Sequence, residues 1–130
     1  MRQEPPGAPV PLTRHLRVHE DHGHTVLELR GEIDIAAATE IAPHLDRVTA
    51  RDGSRVVIDL RYVEFFDCSG LRLLYRARSR VLEHGGRLRL VCTHPLTLRV
   101  LKMTGLSQLL PPLATLDAAL GRPGATSGTL

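Results

Sequence analysis

Between Arg55 and Cys92 the hydrophobic pattern of the chain changes period twice. Arg55-Val56-Val57-Ile58-Asp59-Leu60 is a short β-branched run, the pattern of a buried strand. The apolar residues then recur at helical spacing as Leu71, Leu74, Ala77 and Val81. Arg72, Arg76, Ser79, Arg80 and Glu83 fall on the opposite face, which reads as an arginine-rich outer surface, and Gly85-Gly86 stops the pattern. Arg87-Leu88-Arg89-Leu90-Val91-Cys92 alternates and then runs apolar, which predicts the next strand. Two strands joined through a helix pair in parallel by a right-handed crossover, so this stretch confines the chain to layered α/β architectures.

The flanking segments extend the pattern. His15-Leu16-Arg17-Val18-His19 and Thr25-Val26-Leu27-Glu28-Leu29 alternate around Asp21-His22-Gly23, which predicts a hairpin. Gly31-Glu32-Ile33-Asp34 leads into Ala38, Ile41, Leu45 and Val48 at helical spacing, with Asp34 a candidate cap. Pro43 inside that helix removes a hydrogen bond and predicts a kink or a restart near Ala42-Pro43. Pro95 opens a third helix with Leu96, Val100 and Leu101 on its face and Gly105 past its end, and Thr115 caps a short last one, Leu116 to Leu120. The expected fold is one α/β domain over residues 12–120, with a mixed sheet of about four to five strands and helices packed against it. Residues 1–11, with four prolines, and residues 121–130, small and polar, read as flexible tails.

A chain of 130 residues has room for one core and can bury roughly 70% of its unfolded surface. No apolar stretch approaches the ~20 residues of a membrane span, and Met1 to Pro6 lacks the apolar centre of a signal peptide, so a cytoplasmic protein is expected. Cys68 and Cys92 each fall at the end of an expected strand and read as free thiols of a reducing compartment. Arginine supplies 16 of the 17 basic residues, yet the net charge is only +3 and there are no tryptophans, against the basic, aromatic surface that nucleic acid requires. The acidic residues Glu32, Asp34, Asp59, Glu64 and Asp67 gather around the two strand-to-helix loops.

The second of those loops, Asp67-Cys68-Ser69-Gly70-Leu71, puts a lone hydroxyl where a strand ends and a helix begins. Ser69 at or next to the N-cap serves either as a plain cap or as the seat of a charge switch, because phosphate there adds about −1.5 to −2 charges. A serine hydrolase elbow needs glycine two residues before and two after the serine, and Asp67 and Leu71 stand there. A Walker loop needs Gly-Lys-Ser/Thr, and the single lysine, Lys102, lies between Leu101 and Met103. His19, His22 and His24, and Cys92 with His94, lack the ligand count of a zinc site, and the histidines read as surface turn residues. Asp34 and Asp67 read either as helix caps or as contacts to a partner or its nucleotide-bound metal.

Taken in order, Gly31-Glu32-Ile33-Asp34, Val56-Val57-Ile58-Asp59-Leu60, Phe65-Phe66-Asp67-Cys68-Ser69-Gly70-Leu71 and Leu98-Arg99-Val100-Leu101-Lys102-Met103-Thr104-Gly105-Leu106 resemble the bacterial anti-sigma factor antagonists of the STAS domain class. The resemblance covers about residues 12–120. It implies a regulatory binding module, not an enzyme, with no cofactor and no metal of its own. The implied partner is an anti-sigma factor serine kinase that supplies ATP and Mg²⁺, and a phosphoserine phosphatase reverses the modification; no nucleic acid or membrane is involved. Carried over by position, Ser69 is the phosphoacceptor, and Cys68 stands where the family often has a second hydroxyl residue. Glu32, Asp34, Phe66 and Asp67 before the acceptor, and Cys68, Gly70, Leu71 and Arg72 around it, are the implied partner contacts. Gly70, lacking Cβ, is expected to permit close approach of a partner's backbone. The alternative within the same fold is a STAS subunit of a signalling scaffold, or a soluble adaptor of a lipid or anion transporter.

Overall fold

The structure, a computed structural model, describes residues 8–121. Residues 1–7 and 122–130 of the two expected tails lie outside the described residues. Val10 and Pro11, assigned above to the first tail, are instead part of a strand.

Strands β1 (Val10–Thr13), β2 (Leu16–Asp21) and β3 (His24–Ile33) pair antiparallel. The β2–β3 hairpin closes through His22 and Gly23, both at positive φ (48° and 77°), the two-residue geometry whose twist matches that of the flanking strands. Strands β4 (Arg55–Phe66), β5 (Arg87–Val91) and β6 (Pro112–Leu113) add to β3 in parallel, and the six lie in the order β1-β2-β3-β4-β5-β6. The sheet is therefore mixed as expected but exceeds the four to five strands read from sequence. The additions, β1 and β6, are short edge strands containing proline, which cannot donate to a ladder and so hides an edge strand from pattern reading. Strand β4 also runs past Leu60 to Phe66, through a half whose charged Arg61 and Glu64 break the apolar run.

The described residues also form five helices: α1 (Ile35–Thr49), α2 (Cys68–Glu83), α3 (Pro95–Met103), α4 (Leu106–Leu109) and α5 (Leu116–Leu120). Helix α1 neither stops nor restarts at Pro43. The carbonyl that loses its donor belongs to Thr39, which is exposed with Pro43, so water can replace the bond while Ile41, Leu45 and Val48 anchor the other face. Helix α2 ends as its glycines predict, the Gly86 N–H donating to the Val81 carbonyl (2.8 Å) and Gly85 to Leu82 (3.2 Å). In α3 the buried residues are Thr97 and Leu101, whereas Leu96 is exposed and Val100 half-buried, which corrects the face expected for it.

The main core lies between one sheet face and α1 to α3, built on Leu27, Leu29, Ile33, Ile41, Leu45, Ile58, Leu60, Leu74 and Leu101. On the other face Val26, Val57 and Val91 are covered by Ala119 and Leu120 of α5. Asp59 does not belong with the loop acids: it is 1% exposed inside β4 and is gripped by Arg61 through two side-chain hydrogen bonds of 3.0 and 2.8 Å. Of the three hairpin histidines only His22 is exposed, His24 being buried and His19 half-buried. Both cysteines are free; Cys68 is exposed, and burial pushes the Cys92 thiol up from its ordinary pKa.

Candidate functional site

The parallel pairing of β3 with β4 aligns Ile33 with Phe66, and the Asp67 N–H reaches the Ile33 carbonyl at 3.5 Å. Both strands therefore end side by side, and each is followed by an aspartate and then a helix. Asp34 caps α1, its Oδ1 accepting the Ala37 N–H at 2.9 Å. Asp67 caps α2, its Oδ1 accepting the N–H groups of Ser69 (2.8 Å) and Gly70 (3.4 Å). The capping reading of both aspartates holds, and it displaces the capping reading of Ser69. Ser69 is the second residue of α2, and its hydroxyl makes no hydrogen bond among the described residues. A carboxylate has taken the orphan N–H groups.

Beside Ser69 a shallow groove of about 220 Å³ runs between α1 and α2, lined by Ile35, Ala38, Thr39 and Ala42 on one wall and Ser69, Arg72, Leu73 and Arg76 on the other. Arg76 is committed, its Nε and Nη2 donating to the two Asp46 carboxylate oxygens at 2.7 and 2.8 Å. Arg80 also reaches Asp46, at 3.5 Å, so the outer arginines of α2 are partly a joint to α1. The Arg76 hydrogen bond holds the Asp46 carboxyl below its usual pKa. Arg72, one turn beyond Ser69, makes no hydrogen bond or ion pair among the described residues.

The residues implied as partner contacts divide by burial. Glu32, Asp34, Cys68 and Arg72 are exposed, and Asp67, Ser69 and Leu71 half-buried. Phe66 and Gly70 are buried, against the expectation that Gly70 admits a partner's backbone. A Cβ on Gly70 would lie 2.6 Å from Phe66 Cε1, so the close approach Gly70 permits is that of the chain's own ring. Sequence reading missed three exposed apolar residues near this end: Ile35 (70%), Phe65 (54%) and Leu96 (67%). Phe65 and Leu96 share a small notch with Glu64, Phe66, Thr97 and Val100. Ile35 carried a usable signal, since it follows the capping aspartate and lies off the Ala38, Ile41, Leu45, Val48 stripe.

Among the described residues no histidine hydrogen bond involves Ser69. No group of three or more His, Cys, Asp or Glu among the described residues is placed to hold a metal ion. No helix among them is long and apolar enough to cross a membrane. The site offers a hydroxyl next to the capping Asp67 carboxylate, in a groove shared with exposed Ile35 and with Arg72, whose guanidinium is unpaired among the described residues.

Residues 15–119 match the STAS domain family. The chain is 31% identical to the anti-sigma-F factor antagonist RsfB of Mycobacterium tuberculosis over 103 residues, 79% of this chain and 84% of that protein. Among solved structures it is similar to an anti-sigma factor antagonist from Mycobacterium paratuberculosis, with 31% identity, a TM-score of 0.68, and coverage of 86% of this chain and 95% of the other. An anti-sigma-factor antagonist (STAS) domain protein from Planctomyces limnophilus aligns with 27% identity and a TM-score of 0.67 over 81% of this chain and 94% of its own. With the strand-Asp-helix pair, the register that sets the two loops together and these relatives in agreement, the chain belongs to the STAS domain family, alongside the anti-sigma factor antagonists.

Proposed function

We propose that this chain is an anti-sigma factor antagonist that binds its anti-sigma factor while Ser69 is unmodified, frees a sigma factor by doing so, and is switched off by phosphorylation of Ser69. The observation that carries the reading is the Ser69 hydroxyl itself, unbonded at the start of α2 because Asp67 occupies the cap. A structural cap would be spent on the helix; this hydroxyl is available.

The anti-sigma factor is proposed to be a serine kinase. It holds ATP and Mg²⁺, positions the γ-phosphoryl group in line with Ser69 Oγ and accepts the serine proton. An O–P bond forms at Ser69, the bond from the γ-phosphorus to the β,γ-bridging oxygen breaks, and ADP leaves. The chain's contribution is rigidity: Phe66 against Gly70 and the Asp67 cap fix the turn that presents the hydroxyl. Exposed Ile35 gives the partner an apolar contact in the groove that holds that hydroxyl, and exposed Phe65 and Leu96 offer a second apolar notch after β4. The new dianion then lies beside Asp34 and Asp67, and desolvating three like-charged groups against a partner opposes rebinding. A phosphatase restores the serine, and the cycle runs in the cytoplasm.

Affinity capture from native lysate with wild type, Ser69→Ala and Ser69→Asp as baits tests this. Wild type and Ser69→Ala are expected to retain a serine kinase that phosphorylates Ser69 in the wild type, and Ser69→Asp to bind it about tenfold more weakly or worse. Equal recovery of scaffold or transporter subunits by all three baits would replace the reading with the adaptor one.

A further inference from the structure

We propose that phosphorylation of Ser69 captures Arg72: the guanidinium faces the partner when the serine is free and is withdrawn into an ion pair with the phosphate once it is modified. The inference rests on the phosphoacceptor reading of Ser69 and adds the group that answers the new charge.

The start of α2 and the α1–α2 groove beside it lead to it. The usual refuge of a phosphate at a helix start is closed, because Asp67 Oδ1 already accepts the Ser69 and Gly70 N–H groups. The Asp67 carboxylate also repels a dianion from that side. On the open side, Ser69 and Arg72 line the same groove, and residues three apart on a helix have Cβ atoms roughly 5–6 Å apart, within easy span of a phosphoserine and an arginine. Of the two arginines in that groove, Arg76 is held by both oxygens of Asp46, whereas Arg72 is unpaired among the described residues. The facing wall, Ile35, Ala38, Thr39 and Ala42, carries no titratable side chain to compete, and the Thr39 hydroxyl is spent on the Ile35 carbonyl at 2.7 Å. The planar fork of arginine suits a phosphate better than a point charge does.

The pair changes what the partner meets. In the unmodified protein Arg72 is an exposed cation beside the hydroxyl, complementary to an acidic group on the kinase. Phosphorylation therefore removes an attractive charge as well as adding a repulsive one, so a single modification acts twice on the same interface.

The test uses the full chain with phosphoserine installed at position 69 during synthesis, which needs no kinase, and follows the second phosphate ionisation by ³¹P NMR. An ion pair favours the dianion, so the wild type should titrate roughly half a unit lower than Arg72→Gln, with Arg72→Lys between them and Arg78→Gln, outside the groove, matching the wild type. The difference should shrink in about 1 M salt. Coincident wild-type and Arg72→Gln titrations overturn the proposal, as does an equal shift in Arg78→Gln, which would mean net charge and not a pair. Circular dichroism of each variant establishes that α2 is intact. Because the phosphate is installed chemically, a negative titration leaves the kinase reading of Ser69 standing, and a failed kinase capture leaves the titration interpretable.

Discussion

Gly70 is small because Phe66 occupies the space a side chain would need. A Cβ there would approach three ring atoms of Phe66 at 2.6 to 2.8 Å, closer than real Cβ contacts come, and both residues are buried. Gly70→Ala is therefore expected to destabilise the fold by about 1–3 kcal/mol through overpacking, and Phe66→Leu in the same chain to recover part of that loss. Urea denaturation of the two single variants and the double variant measures the coupling; strictly additive losses would mean the ring and the glycine do not constrain one another. The motif made Gly70 conspicuous in sequence but suggested the wrong neighbour. A contact between the last residue of a strand and the first turn of the next helix depends on the angle at which the two meet, which no spacing rule encodes.

At the scale of elements, the two helices that wall the groove are joined by a short set of polar contacts. Asp46 of α1 accepts from Arg76, and Arg80 of α2 adds bonds to the Thr49 hydroxyl (3.3 Å) and the Asp46 carbonyl (3.4 Å). Arg76 holds the folded Asp46 carboxyl below its unfolded value, so the joint contributes stability above the ordinary carboxylate range and loses it as pH falls through the folded value. The thermal midpoint should therefore begin to drop as pH falls through about 4 and go on dropping toward the folded value, and Asp46→Asn should remove part of that drop while lowering stability at neutral pH. Parallel midpoint curves for the two proteins would assign the acid sensitivity to other carboxylates. The span and amphipathic character of α2 were legible in its Leu71, Leu74, Ala77, Val81 rhythm, and Asp34 was recognisable as a cap. The Asp46–Arg76 joint was not, since the two residues are 30 positions apart.

Across the whole molecule the two faces of the sheet have different fates. Helices α1 to α3 seal one face, whereas α5 covers only the Val26, Val57, Val91 part of the other. The bare remainder is polar: Arg30 pairs with Glu28, Arg61 pairs with Asp59, and both guanidiniums lie about 5 Å from the Tyr62 ring centroid (4.9 and 5.3 Å). Burial of Asp59 is tolerated because Arg61 satisfies both carboxylate oxygens, and that bonding in turn raises the pKa of Arg61. Arg61→Ala, which strands the buried carboxylate, is expected to cost ~2–3 kcal/mol, less than for a fully buried pair because Arg61 is 31% exposed. Joint replacement, Asp59→Val with Arg61→Leu, is expected to be milder than Arg61→Ala alone. Chemical denaturation ranks the variants, and a double variant weaker than the single one would refute this account of the uncovered face.

The sequence by itself determined the α/β class, the parallel crossover around α2, the hairpin, the caps at Asp34 and Thr115, and the loop that presents Ser69. All of these rest on local periodicity and turn chemistry, which a chain carries within a few residues. Only the tertiary structure decided that Asp67 and not Ser69 caps α2, that α1 runs through Pro43, that Asp59 is buried under Arg61, and that Ser69 shares a groove with an unpaired Arg72. The residues in each case are only two to four positions apart, so spacing allowed more than one outcome; burial and orientation chose among them, and those exist only once the helices have packed on the sheet.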